Sequence, residues 1–325
     1  MTATPVLSLK NAVIRYDRLT AVDGVSLDLY SGETLGLVGE SGCGKSSLAR
    51  AIVGLQPLAA GTLSVAGETL ANVTAARRKG LQRRIQLLFQ DPAASLSPRM
   101  KVDALLAEPL KIRKVHSAES WANISALAES IGLGEQLFSR YPHQLSGGQA
   151  RRVALVRALA AEPSIIVADE PTAGLDISIQ GELLNLLRAL RDRLKLSYLL
   201  ISHNLNVVGR VTDRVAVMYL GQIVESGPTS DLFRNPAHPY TQALLSANLT
   251  LDPGRRRERI VLSGELPSPG SPPSGCRFHK RCPLARPRCS SEVPSLVPAG
   301  SFGRSVACHF PLMADADAMP QAIRG

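Results

Sequence analysis

The stretch "GLVGESGCGKSS", residues 36–47, constrains this chain more than any other. It closes the apolar run "ETLGLVG" and opens a helical pattern, so Gly39, Gly44, Lys45 and Ser46 satisfy G-x-x-x-x-G-K-[ST] between a strand and a helix. Glycines there let consecutive backbone NH groups turn inward at the positive end of the helix, which makes an anion nest. The loop Gly39, Glu40, Ser41, Gly42, Cys43, Gly44, Lys45, Ser46 and Ser47 is expected to cradle phosphates, with Lys45 on the β and γ phosphates and Ser46 on Mg²⁺. Cys43 reads as a small filler in that loop rather than a catalytic thiol.

Around this loop, to about residue 226, short β-rich runs alternate with helical stretches, which argues an α/β core. Strands are expected at "VLSLKNAVIRY", "VSLDLY", "ETLGLVG", "IQLLF", "SIIVAD", "SYLLIS", "RVAVMYL" and "GQIVES". Helices fit after Gly44, after Ser146 and across "SIQGELLNLLRALRDRL". No internal repeat is visible, so a single unit is expected rather than a tandem pair.

Two further stretches can carry phosphate chemistry. "PSIIVADEPTAGLD" is an apolar strand that ends in Asp169 and Glu170, and α/β sheets place their ligand chemistry at such strand tips. Asp169 would hold Mg²⁺ through its water shell, and Glu170 would orient an attacking water or take its proton. "LSGGQ" at 145–149 opens the helix "ARRVALVRALAAE", with Ser146 as cap and Gly147 and Gly148 exposing NH groups, a second phosphate-binding helix start.

In this order the three motifs resemble the ATP-binding cassette of ABC transporters, over roughly residues 6 to 250. The resemblance implies an ABC-type P-loop ATPase with a RecA-like core, an antiparallel β subdomain and a helical subdomain. It also implies roles for Tyr16 (stacking on adenine), Gln90 (sensing Mg²⁺ and the γ-phosphate), Asp176 (communication across a dimer) and His203 (contacting the γ-phosphate). Two cassettes would then pair head to tail, each ATP lying between one loop and Ser146, Gly147, Gly148 and Gln149 of the other chain. Glu170, His203, Lys45 and Gln90 are the expected catalytic groups, and Ser46, Gln90 and Asp169 the expected Mg²⁺ set.

Narrower stretches, "RRIQLLFQDPAASLSPRMKV", "YPHQLSGGQARR", "DRVAVMYLGQIVESGP", "HPYTQALLSA" and "GELPSPGSPPSGCRFHKRC", look like ATPase subunits of oligopeptide/dipeptide importers, a group that includes nickel importers. Within it "IQLLFQDP" looks like the F-type subunit, which implies a D-type ATPase partner, two membrane permease subunits and an extracytoplasmic peptide-binding protein. The segment from Gln90 to Met100 is expected to face the membrane subunit. "ADEPTAGLD" and Asn204 depart from the subfamily's usual residues without removing a catalytic atom.

The chain continues with "SGELPSPGSPPSG", 263–275, in which eleven of thirteen residues are Pro, Gly or Ser, a linker composition. The expected organisation is a nucleotide-binding domain over 1–250, a linker over 251–275, a four-cysteine appendage over 276–310 and a tail over 311–325. Cys276, Cys282, Cys289 and Cys308 stand as C-x5-C-x6-C-x18-C, a spacing that suggests a metal site without choosing the metal. The importer resemblance implies a 4Fe-4S cluster; zinc is the alternative, with His279 and His309 as possible ligands. "MTATPVLSLK" lacks a signal peptide's basic start and apolar run, and no window approaches the roughly 18 apolar residues of a spanning helix. The chain is therefore expected to stay in the cytosol, and the importer resemblance implies a peripheral place on the cytoplasmic face of the membrane. The net charge of +10, six of it over residues 250–310, suits a nucleic-acid-acting ABC ATPase with a zinc tail as the different-class alternative.

Overall fold

The fold is that of a computed structural model, which describes residues 4–91, 95–247, 260–262, 267–268, 270–300 and 303–312. Most of the expected linker and of the tail therefore lies outside the described residues, as do positions 92–94 of the segment expected to face the membrane subunit. All eight expected strands are present, and four more join them among the described residues.

Two sheets organise the chain. The larger runs β11-β12-β10-β9-β3-β8-β7-β6, and its heart is parallel: β3 (Thr34–Val38) lies between β8 (Ser197–Ser202) and β9 (Arg214–Tyr219), with β7 (Ile165–Asp169) and β6 (Ile85–Leu88) beyond β8. Every residue of β3 and β8 is buried, as expected of parallel strands covered on both faces. The smaller sheet, β2-β1-β4-β5, is antiparallel: β1 (Leu7–Tyr16) pairs with β2 (Leu19–Leu29) and β4 (Ala60–Val65), and β4 with β5 (Glu68–Thr69).

Leu9, Ile14 and Val22 of the small sheet meet Leu37 and Val167 of the large one around helix α1 (Lys45–Ile52), whose Leu48 and Ile52 are fully buried. A second core packs α3 (Val102–Arg113), α4 (Ala118–Ser130), α5 (Gly147–Leu159) and α6 (Ile177–Leu194) against Ile166 and Tyr198. Between α1 and these, α2 (Ala75–Gln82) starts at Thr74, whose hydroxyl accepts from the Arg77 amide. A third core, around β9 and β10 (Gln222–Pro228), gathers α7 (Leu205–Val211), α8 (Thr229–Arg234) and α9 (Pro239–Ser246).

The expected cysteine-rich appendage is not supported, because its residues are stitched into the third core. Phe278 is fully buried there, against Tyr219 at a centroid distance of 5.2 Å and Tyr240 at 5.4 Å. Burial of a phenylalanine side chain stabilises by roughly 1.5–3 kcal/mol, a strong hold for a segment without a long helix. Strand β12 (Ser305–Val306) pairs antiparallel with β10, and β11 (Val297–Pro298) with β12, so the segment extends the main sheet. One short helix, α10 (Pro287–Ser291), carries the buried Cys289.

An internal ion pair completes the seam. Glu225 of β10 is fully buried and accepts from the Ala237 amide at 2.8 Å, the His238 amide at 2.9 Å and Arg304 Nη2 at 2.9 Å. Arg304, nearly buried itself, also donates to the Asn235 carbonyl. Removing one partner of such a pair strands the other charge away from water. Arg304→Met is therefore expected to destabilise the chain by about 3–5 kcal/mol, seen as a lower urea midpoint. An unchanged midpoint would return the segment to the status of a loosely attached tail.

Candidate functional site

Parallel register brings the expected motifs to one edge. Val38 pairs with Ser202, and Ile201 with Asp169, so the loop after β3, the acids ending β7 and the histidine after β8 leave the sheet side by side. Gln90 follows β6 at the same edge and is exposed.

The loop is held tightly. Gly44 sits at φ 107°, where a Cβ would lie 2.3 Å from the Ala21 carbonyl oxygen, so no side chain fits. Gly39 is equally confined, with a Cβ position 2.2 Å from the Met218 carbonyl oxygen. Lys45 is buried, and its ammonium donates to the Gly39 and Glu40 carbonyls, each at 2.8 Å. Cys43 is buried in the first core, and burial pushes its thiol pKa up, which suits a filler and not a nucleophile.

Asp169 is the chemically incomplete member. Burial raises its pKa, opposed by a hydrogen bond with the Ser46 side chain, and its Oδ1 is buried with no hydrogen-bond partner. An orphaned carboxylate oxygen beside a hydroxyl is a donor set that fits a hard divalent cation such as Mg²⁺. Glu170 stands beyond it with φ 48°, a conformation rare outside glycine, fixed by its amide's donation to the Ile201 carbonyl at 2.9 Å. That backbone aims the Glu170 carboxylate at His203, whose Nδ1 lies 2.8 Å from Oε1. The acid and the histidine, 33 residues apart, are thus one hydrogen-bonded unit.

The remaining expected residues sit apart from this edge in different ways. Tyr16 closes β1, half-buried against the first core, with a buried hydroxyl that has no partner. Ser146 caps α5: its hydroxyl accepts from the Gln149 amide at 3.3 Å, and its own amide donates to Gln149 Oε1 at 3.0 Å. Ser146 and Gly147 are exposed, so this helix start faces solvent. Asp176 precedes α6 as its N-cap residue without a side-chain capping bond, and it is exposed.

Cys276, Cys282, Cys289 and Cys308 line a single small pocket together with His279 and His309. Burial raises the thiol pKa of Cys276, Cys282 and Cys308, the last to about 11, so these are neutral thiols until a cation draws off their protons. Yet among the described residues no group of three or more His, Cys, Asp or Glu side chains has a metal-holding arrangement. The four expected thiols are nonetheless gathered at one pocket. His279 Nδ1 and His309 Nε2 are engaged with the Cys276 and Glu292 carbonyls, at 2.8 and 3.0 Å.

Contacts that the sequence reading missed lie between this segment and the loop. Arg281 pairs with Glu40, and the Tyr240 hydroxyl accepts from the Glu40 amide at 2.9 Å. Arg277 pairs with Asp23 and donates to the Leu220 carbonyl. No local pattern announces them, since the partners lie 200 or more residues apart, save Leu220 at 57.

Comparison with known proteins agrees with this geometry. Residues 22–173 match the ABC transporter family, and residues 224–289 the C-terminal region of oligopeptide/dipeptide transporters. The di/tripeptide transport ATP-binding protein DppF of Pseudomonas aeruginosa is 47% identical over 90% of this chain and 90% of its own length. The oligopeptide transport ATP-binding protein OppF of Escherichia coli is 47% identical over 89% of this chain and 87% of its own. Among solved structures, the dimeric bacterial ABC transporter cassette MJ0796 superposes with a TM-score of 0.62 at 27% identity, covering 69% of this chain and 98% of that one.

Because Lys45 is the buried cation of the loop, Lys45→Ala is expected to lower steady-state phosphate release by roughly 100-fold or more. A variant that kept the wild-type rate would remove the loop from the chemistry.

Proposed function

This chain belongs to the ATP-binding subunits of the oligopeptide/dipeptide ABC transporters, and from that membership we propose that it hydrolyses ATP to energise import of di- or oligopeptides. The observation that carries the reading is the convergence, at one sheet edge, of the Lys45 loop, the Ser46–Asp169 pair and the Glu170–His203 unit.

The residues divide the work as follows. The loop's amides other than those of Glu40 and Cys43, which donate to the Tyr240 hydroxyl and the Glu40 carbonyl, bind the phosphates together with the Lys45 ammonium, and Tyr16 offers its ring to adenine. Ser46, Asp169 and Gln90 would hold Mg²⁺, which when bound neutralises phosphate charge. Glu170 orients a water and takes its proton as the water oxygen bonds to the γ-phosphorus and the bond to the ADP oxygen breaks. His203, hydrogen-bonded to Glu170 Oε1, keeps that carboxylate aimed and reaches the γ-phosphate.

The outward start of α5 supports a composite site. Ser146, Gly147, Gly148 and Gln149 would meet nucleotide bound by a second cassette, with Asp176 at the same interface, and the dimeric cassette of similar fold supports such pairing. We assign the second cassette to a D-type subunit, above which two permease subunits and an extracytoplasmic peptide-binding protein complete the importer. No described helix is long and apolar enough to cross a membrane, and we assign peripheral attachment at the cytoplasmic face, through the permeases, from the family membership. The division into an ATPase domain over 1–250 and a four-cysteine segment over 276–310 is retained as a functional one. The four thiols at one pocket support a soft-metal centre, a 4Fe-4S cluster by family resemblance or zinc, whose part is to close the segment. Iron, sulfide and zinc analysis of anaerobically purified protein decides between them.

Glu170→Gln removes the proton acceptor while keeping the shape, so ATP is expected to bind and hold the cassettes together with little turnover. Size-exclusion chromatography with ATP tests this on the assembled ATPase pair: a stable ATP-dependent complex supports the role, and continued wild-type hydrolysis refutes it.

A further inference from the structure

The phosphate loop of residues 39–47 contains one carboxylate, Glu40, directly after Gly39. An acid there opposes the binding of a triphosphate unless a cation neutralises it. The neutralising group comes from the cysteine segment. Arg281 Nη1 donates to Glu40 Oε2 at 2.7 Å and Nη2 to Oε1 at 3.1 Å, a two-pronged pairing with the arginine side chain 9% exposed. The guanidinium also stands 5.9 Å from the centre of the Tyr219 ring, and Tyr219 packs edge-on against Tyr240 and Phe278. Tyr240 in turn accepts from the Glu40 amide. Glu40 is therefore gripped at backbone and side chain by residues 200 and 241 positions away.

We propose that Arg281 is a positioning residue for nucleotide binding: paired with Glu40, it cancels the only negative charge in the phosphate loop and fixes the loop's first turn. The cysteine segment thereby becomes part of the nucleotide site, although it touches no phosphate. The inference rests on the reading of residues 39–47 as the ATP loop.

The test separates charge from packing. In the full-length chain within its transporter complex, Arg281→Gln leaves Glu40 unpaired. The KM for ATP is expected to rise roughly fivefold to tenfold at low salt while kcat changes less than twofold. The defect shrinks at high salt, where the repulsion is screened. In a Glu40→Gln background the same Arg281→Gln change is expected to alter KM by less than about twofold, because the charge it neutralised is gone. A merely structural arginine would give equal losses in both backgrounds, and that result, or an unchanged KM in Arg281→Gln, overturns the proposal. Should Arg281→Gln fail to fold, Arg281→Lys, which keeps the charge but not the two-pronged geometry, is expected to hold KM within about twofold of wild type, and a rise of about fivefold or more overturns the neutralising role. A wild-type chain without ATP binding would sink the nucleotide reading itself, and this inference with it.

Discussion

Parallel pairing of β3, β8 and β7 is the constraint on which the rest depends. Strands in this arrangement all deliver their C-terminal ends to the same edge, so residues distant in sequence meet there without any contact of their own to bring them together. One residue of slip in the β7–β8 register would carry Asp169 away from Ser46 and separate Glu170 from His203. The buried apolar runs "LGLV", "IIVA" and "YLLI" guard against that slip, because they fill cores on both faces of the sheet.

The second organising force is electrostatic, and it runs from the C-terminal segment to the core. Arg277 with Asp23, Arg281 with Glu40 and Arg304 with Glu225 tie three places on that segment to three places on the ATPase core. The local excess of basic residues noted in the sequence is thus partly consumed within the chain. That weakens the case for a nucleic-acid partner, since at least three of these arginines are paired, each side chain no more than 12% exposed. Phe278 supplies the apolar anchor around which these pairs close.

Much of the site was legible because each functional group ends a short apolar strand or opens a helix, features visible in local spacing. Lys45, Asp169, Glu170, Ser146 and His203 all stand where such spacing puts them. What escaped depends on non-local packing. Strand β4 was missed because its first three residues are exposed and Gly61 interrupts the alternation. Helices α3 and α4 stood on family resemblance alone: α3 contains Pro109, and α4 buries only Ile124 and Ala128, too thin a stripe to read as a period. The proline-rich linker composition suggested a detached appendage, and nothing local in "CRFHKRC" says that Phe278 and Arg281 reach back to Tyr219 and Glu40.

The central claim, that this chain converts ATP hydrolysis into peptide import, is tested most directly by uptake. The chain would be purified with its partner ATPase and permeases, placed in proteoliposomes with the binding protein on the substrate side, and given a labelled tripeptide. Accumulation of peptide with ATP, and none with a non-hydrolysable analogue, is the expected result. ATP consumption that moves nickel but no peptide, or that responds only to nucleic acid, would contradict it.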